Sequence, residues 1–279
     1  MTRVALLQMT SGIDPEANAT IIEDALAQAR AGGAAMLFTP EMSLLIDRDR
    51  MRGRAQIATQ GADPQLARLS AAAAREGVWL ALGSMAVVAE GAGAEGKFAN
   101  RSLLIDAAGR IVAHYDKMHM FDVTLETGGK WRESAAYQPG EAAVSVADTP
   151  IGRLGLTVCY DIRFPALFDV LGRAECDVIA TPAAFTVPTG QAHWHLLQRA
   201  RAVEASAWVI AAAQVGHHAD GRTTYGHSLV VDPWGDIVLD MGGDAPGLGF
   251  AEIDAERTRA VRAQLPSLAN RRPVATSPA

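Results

Sequence analysis

Cysteine is scarce in this chain: Cys159 and Cys176 are the whole supply in 279 residues. That scarcity excludes a disulfide framework and a four-cysteine zinc site. Positive charge is also in deficit. Lys and Arg number 25 against 31 Asp and Glu, and the net charge of −6 offers no general attraction to nucleic acid or an acidic membrane. No apolar run approaches the length that spans a bilayer. The opening Met1-Thr-Arg-Val-Ala-Leu-Leu-Gln-Met9 turns polar too soon for a secretion signal, so a cytoplasmic, reduced protein is the expectation. What is present suits a globular fold. Hydrophobic residues make up 49% and charged residues 20%, and the length fits one large α/β domain.

Strand and helix signals interleave from end to end, with no linker and no internal repeat. Val4–Met9 and Ala34–Thr39 read as buried strands on either side of a helix, Ala17–Ala31, which Gly32-Gly33 stops. Asp63-Pro64 marks a second helix start. Val78–Val88, Phe98–Asp106 and Ile111–Asp116 read as strands, and Met118–Gly140 as a long functional loop. A hairpin, Ala142–Ala147 with Arg153–Val158, leads to a helix from about Phe164. Strand Val178–Pro182, helix Gln191–Ser206, strands Trp208–Val215, His227–Val231, Ile237–Asp240 and Leu248–Ile253, and helix Ala255–Gln264 complete the pattern. The expectation is a single domain over 1–279, with residues 265–279 an extended tail that is either disordered or docked on a neighbouring subunit.

Two motif readings fail on context. Gly91-Ala-Gly-Ala-Glu-Gly96 fits the dinucleotide string, but a strand follows it where the mechanism needs a helix, so it reads as a connection. The seven histidines show no metal spacing. His193 and His195 point to different helix faces, and His217-His218 with Asp220 reads as a solvated turn. No cofactor and no metal are expected.

Three strand ends carry chemistry. Met36-Leu-Phe-Thr-Pro-Glu41 ends in a carboxylate, the strand Ile111–Asp116 is followed by Lys117, and Gly155-Leu-Thr-Val-Cys159 ends in a thiol at a strand-to-helix turn. Helix N–H groups at such a turn lower a thiol's pKa and can hold an oxyanion. Each residue also has a plain reading: Glu41 as an exposed loop carboxylate, Lys117 as a solvated partner of Asp116 or Asp122, Cys159 as a buried structural cysteine. Together they form a coherent set, because a thiol needs a base or a positive neighbour to attack at neutral pH. The N–H of Tyr160 would supply a second oxyanion donor beside Lys117.

The segments Phe38-Thr-Pro-Glu41, Tyr115-Asp-Lys-Met-His-Met-Phe-Asp122 and Gly155–Pro165 resemble the nitrilase, or carbon–nitrogen hydrolase, superfamily. So do Gly190-Gln-Ala-His-Trp194, Arg199-Ala-Arg-Ala-Val-Glu204, Tyr225-Gly-His-Ser228, Asp232-Pro-Trp-Gly235 and Asn270-Arg-Arg-Pro273. The resemblance implies an α-β-β-α sandwich, usually dimeric, with Glu41 as general base, Lys117 as oxyanion stabiliser and Cys159 as nucleophile. It also implies a second glutamate after the lysine. Glu133 in Trp131-Arg-Glu-Ser134 is the candidate, with Glu126 and Glu141 competing. Within the superfamily the chain looks most like the Nit branch, amidases acting on deaminated glutathione or on ω-amides of keto acids. Ala166 departs from that branch, which commonly has Glu after Phe-Pro; Met118 and Met120 are milder departures. A carboxylate-bearing substrate calls for a basic contact, for which Arg163 is the candidate, with Phe185, Thr189 and His193 lining the pocket. Arg163 paired with Asp161, and Phe185 as core, are the plain alternatives. An ω-amidase on α-ketoglutaramate, an N-carbamoyl or nitrile hydrolase, and a silent binding protein on the same fold are the rival functions.

Overall fold

Side chains along the first strand, β1 (Thr2–Gln8), alternate between two apolar environments, and that alternation sets the layers of the molecule. Val4 and Leu6 enter one buried cluster, while Ala5 and Leu7 enter another. A computed structural model describes residues 1–90, 96–126 and 129–273. The Gly91–Glu95 part of the glycine-rich string and the tail beyond residue 273 lie outside the described residues.

The first sheet continues through β2 (Met36–Phe38), β3 (Trp79–Val88), β4 (Phe98–Ile105) and β5 (Ile111–Asp116). A hairpin of β6 (Asp122–Leu125) and β7 (Gly129–Arg132) follows. The second sheet takes β8 (Val144–Thr149), β9 (Gly152–Leu156), β10 (Val178–Ala180), β11 (Trp208–Ala211), β14 (Leu229–Val231) and β15 (Ile237–Asp240). Between its strands lies a small hairpin, β12 (Val215–His217) with β13 (Thr223–Tyr225). The last strand, β16 (Gly247–Ile253), returns to pair with β1. Both large sheets are six-stranded, ordered β16-β1-β2-β3-β4-β5 and β15-β14-β11-β10-β9-β8. Each has a parallel centre and antiparallel flanks.

Helices α1 (Pro15–Ala31) and α3 (Pro64–Glu76) cover the first sheet. Ile22, Leu26, Leu66 and Leu69 pack with Ala5, Leu7, Leu80 and Leu82. The second starts where Asp63-Pro64 signals it, Asp63 capping Gln65 and Leu66; the first starts two residues earlier than expected, because Asp14 caps Glu16 and Ala17 with Pro15 at its first position. A short α2 (Arg50–Arg54) lies between them. The opposite faces of both sheets meet in one core, where Val4, Leu6, Met36 and Phe38 join Leu154, Leu156, Val178 and Ile210. Helices α4 (Pro165–Arg173) and α5 (Val187–Ala205) close the second sheet through Leu167, Phe168, Trp194 and Ala202. The final α6 (Ala255–Gln264) follows β16. The expected α-β-β-α sandwich is therefore the observed fold. Among the described residues, no helix is long and apolar enough to cross a membrane.

Several boundaries differ from the sequence reading. Met118–Gly140 is not all loop: it contains the β6–β7 hairpin and a 3-10 turn at Glu133–Ala135. Helix α5 begins four residues early because Pro188 sits in its first turn, where a missing N–H costs nothing. The run from Trp208 breaks after Ala211, and Val215 opens a separate hairpin. The tail is docked on its own chain as far as it is described: Arg271 pairs with Asp169 at 3.1 Å and donates to the carbonyl of Glu204 at 3.3 Å.

Candidate active site

Glu41 lies in the turn that leaves β2, and this turn is clamped onto β3. Ser84 N donates to Pro40 O at 3.2 Å, Met42 N to Ser84 Oγ at 2.9 Å, and Ser43 N to Ser84 O at 2.9 Å. The contact is so close that a Cβ on Gly83 would lie 2.0 Å from Thr39 O, so glycine is required there. Lys117 is fixed at the end of β5 by main-chain bonds, its N–H to Asn100 O and its carbonyl from Gly140 N, both at 2.9 Å. Its side chain is 2% exposed, and Nζ lies 2.9 Å from Glu41 Oε1 and 2.9 Å from Glu133 Oε2. Glu133 is brought in by the 3-10 turn after β7, and its Oε2 accepts the Phe121 N–H at 2.7 Å. Glu126 and Glu141, the competing carboxylates, are exposed.

Cys159 does not sit directly on an α-helix. A 3-10 turn, Cys159–Arg163, separates it from α4, and Cys159 itself has φ 51°. A non-glycine residue in that left-handed region stores strain of about 1–3 kcal/mol, held here by its neighbours. Its N–H donates to Pro182 O at 2.8 Å, and its thiol lies near enough to Glu41 for each to shift the other's pKa. Two residues on, the wholly buried Asp161 ties the turn to the lysine segment by accepting from Val158 N at 2.9 Å and Tyr115 Oη at 2.7 Å.

Burial acts on all three reactive groups, and charge decides where each settles. For Glu41, burial raises the pKa, but the Lys117 charge and hydrogen bonds from Cys159, Lys117 and Asn100 outweigh it and hold the carboxyl below its ordinary value. For Lys117, burial is overcome by Glu133 and Glu41, so the ammonium is held well above its ordinary value. The thiol goes the other way from the sequence expectation. Burial first, and then the Glu41 charge, push Cys159 well above the usual thiol range. The resting arrangement is thus a neutral thiol beside a carboxylate that an ammonium holds ionised.

These groups open on a cavity of about 930 Å³, whose wall also includes Tyr160, Arg163, Phe185 and Thr189. Arg163 does not pair with Asp161. Its guanidinium lies over the rings of Tyr160 and Phe185, at 5.9 and 5.6 Å, and its Nη atoms are 3.4 Å from His193 Nδ1. Phe185 is both wall and core, packed 4.9 Å from Trp194. His193 touches Arg163 without lining the cavity. At the outer wall, Arg48 and Arg222 lie over Trp131 at 5.4 and 5.7 Å.

Sequence reasoning missed Asn100. From the middle of β4 its Nδ2 donates to Glu41 Oε1 at 3.0 Å and Glu133 Oε1 at 3.2 Å, and nothing in the strand pattern marks it. Two histidine readings also change. His218 is buried, not solvated, between Ser11 O and Thr224 Oγ1, each at 2.8 Å. Spacing along one helix could not reveal that His195 meets His227 and Asp240, which lie on other elements. None of those three residues lines the cavity.

Residues 3–263 match the family model for carbon-nitrogen hydrolases. The deaminated glutathione amidase of Yersinia enterocolitica is 42% identical over 96% of this chain and 92% of its own. Among solved structures, the C. elegans NitFhit protein superposes with a TM-score of 0.87 at 34% identity. That match covers 97% of this chain, which spans 65% of that larger one. A mutant of the amidase from Nesterenkonia sp. AN1, with acrylamide added to its active-site cysteine, has a TM-score of 0.77 at 28% identity over 95% of this chain and 98% of its own.

Proposed function

The chain belongs to the carbon–nitrogen hydrolase family and is an amidase acting on C–N bonds, and from that premise we propose how its own residues divide the work. Cys159 is the nucleophile, Glu41 the general base, Lys117 the oxyanion stabiliser, and Glu133 the group that orients the lysine and the substrate amide. The observation that carries this reading is the arrangement itself: Lys117 Nζ bridges Glu41 and Glu133 at 2.9 Å each, and all three open with Cys159 on one cavity.

As a substrate carbonyl approaches, Glu41 takes the thiol proton and sulfur bonds to the carbonyl carbon. Lys117 and the Tyr160 N–H hold the oxygen that becomes negative. The C–N bond then breaks, Glu41 returns the proton to nitrogen, and the freed amine departs from a thioester: ammonia from a primary amide, cysteinylglycine from deaminated glutathione. Water loses a proton to Glu41 and attacks the same carbon. The C–S bond breaks, the acid is released, and sulfur recovers its proton. The raised thiol pKa keeps Cys159 neutral until a substrate is present, which protects it from stray oxidation.

Deaminated glutathione is the substrate this reading favours, since relatives bearing that activity match nearly the whole chain. Arg163 is the partner for a substrate carboxylate, with Phe185 and Thr189 beside it and His193 bracing the guanidinium. A cytoplasmic homodimer with residues 1–279 as one domain completes the proposal. Release of cysteinylglycine from deaminated glutathione, compared with ammonia release from α-ketoglutaramate, an N-carbamoyl amino acid and a nitrile, tests it. Preference for deaminated glutathione, abolished in Cys159→Ala, is the expected result; turnover retained by Cys159→Ala overturns the assignment, and preference for another compound overturns the substrate.

A further inference from the structure

His195 in α5, His227 ahead of β14 and Asp240 at the end of β15 bring one potential metal-ligating atom each to within 4.8 Å of one another. Asp240 is the hub. Its Oδ2 is 2.9 Å from His195 Nε2, and its Oδ1 is 3.0 Å from His227 Nδ1. Two atoms bound at the tetrahedral angle to a zinc ion, each about 2.1 Å from it, are about 3.4 Å apart, so the ligands need to spread by only a few tenths of an ångström. Two imidazoles and a carboxylate form the donor set preferred by borderline divalent ions such as zinc, cobalt and nickel.

The groups behind these ligands hold them in place. The His227 ring stacks on Tyr225 with centroids 4.4 Å apart, and His195 meets Tyr225 edge-on at 6.1 Å. The His227 backbone is pinned by Gly242 O and by Trp194 Nε1, both at 2.8 Å. Asp240 Oδ1 also accepts the Gly242 N–H at 2.9 Å. His227 holds a left-handed φ of 56°, a strained conformation that aims its ring at Asp240. The three side chains are 31%, 25% and 31% exposed, so an ion can enter and water can fill its remaining positions.

We propose that His195, His227 and Asp240 form a binding site for a divalent transition-metal ion, separate from the amide-cleaving cavity, that fastens α5 to the β14–β15 edge of the second sheet. Each imidazole ligates through the nitrogen now facing Asp240, with its proton moved to the other ring nitrogen. The ion replaces two hydrogen bonds with three coordinate bonds that join elements distant in sequence.

The test uses the full chain stripped with a chelator, titrated with Zn²⁺ by calorimetry and with Co²⁺ by visible absorption. One equivalent is expected to bind, and to raise the melting temperature. His195→Ala, Asp240→Asn and His227→Asn should each weaken binding by about tenfold or more. Asn tolerates the left-handed backbone, so the last variant keeps the fold. His217→Ala should bind as the parent does, and the cobalt spectrum should lack a thiolate charge-transfer band. No stoichiometric binding, affinity unchanged in all three ligand variants, or a thiolate band that vanishes in Cys159→Ser would each overturn the site.

Discussion

One oxygen of Asp161 faces both nitrogens that His119 presents: Oδ1 accepts the main-chain N–H at 3.0 Å and lies 2.7 Å from ring Nδ1. Its other oxygen takes Tyr115 Oη and Val158 N. Residues 115 and 119 flank Lys117, and Val158 precedes Cys159, so one buried carboxylate sets the lysine and thiol segments relative to each other. The aromatic stack of His119 on Phe164, with centroids 3.6 Å apart, closes the same joint.

Asp161→Asn turns an N–H group toward one pair of those donors. Each buried partner left unsatisfied costs about 1–3 kcal/mol, so a loss of about 3 kcal/mol is expected in urea denaturation. Turnover should fall more than substrate affinity, because the displaced element is the nucleophile's turn. An unchanged denaturation midpoint would show that the joint carries no strain-bearing role.

Lys117→Ala removes the only cation found between Glu41 and Glu133 among the described contacts. Loss of an oxyanion donor costs about 2.7–4 kcal/mol of barrier, so kcat should drop by about 10²–10³. The variant should also take up a proton on folding, since the buried Glu41 carboxylate loses the ammonium that offsets its burial. Potentiometric proton uptake, measured alongside kcat in material with native circular dichroism, checks both halves.

How far the chain revealed this in advance depends on where each residue lies. Glu41, Lys117 and Cys159 were legible because each follows a buried apolar run at its carboxyl end, where α/β sheets expose chemistry. Glu133 could not be separated from Glu126 and Glu141, since the short β6–β7 hairpin shows no clean alternation. Asn100 was invisible: a polar residue in a strand looks the same whether it meets water or two carboxylates. The thiol's pKa was misjudged because a 3-10 turn displaces the α-helix, and because the nearest charge, on Glu41, is negative. His227 and Asp240 meet through strand pairing, which local spacing does not encode.

The opposed shifts at Glu41 and Cys159 predict a separable pH response. Glu41 is held below its ordinary value, so its contribution to stability is present above that value and lost as pH falls through the lowered one. The acid limb of activity should follow the same group and lie below the ordinary glutamate range. In Glu41→Gln the negative neighbour that helps raise the thiol is gone. Alkylation of Cys159 by iodoacetamide should then set in at lower pH than in the parent, while amide hydrolysis disappears. An alkylation profile shifted to higher pH would contradict the charge argument.

Gly83 offers the test of backbone packing at the base. A Cβ there would meet Thr39 O at 2.0 Å, Pro40 O at 2.4 Å and Pro182 Cβ at 2.6 Å. Two of these atoms are main chain of the segment that delivers Glu41, and Pro182 O receives the Cys159 N–H. None of them is the end of a flexible side chain, so Gly83→Ala must part β3 from the Glu41 turn or shift the cysteine. Overpacking of this kind costs about 1–3 kcal/mol, and here the displaced atoms hold the Glu41 and Cys159 segments. A lower melting temperature together with a fall in kcat/KM is expected. Gly61→Ala is the matched control, because a Cβ at Gly61 meets nothing within 4 Å. Equal behaviour of the two variants would mean that the β3 backbone does not set the position of the base.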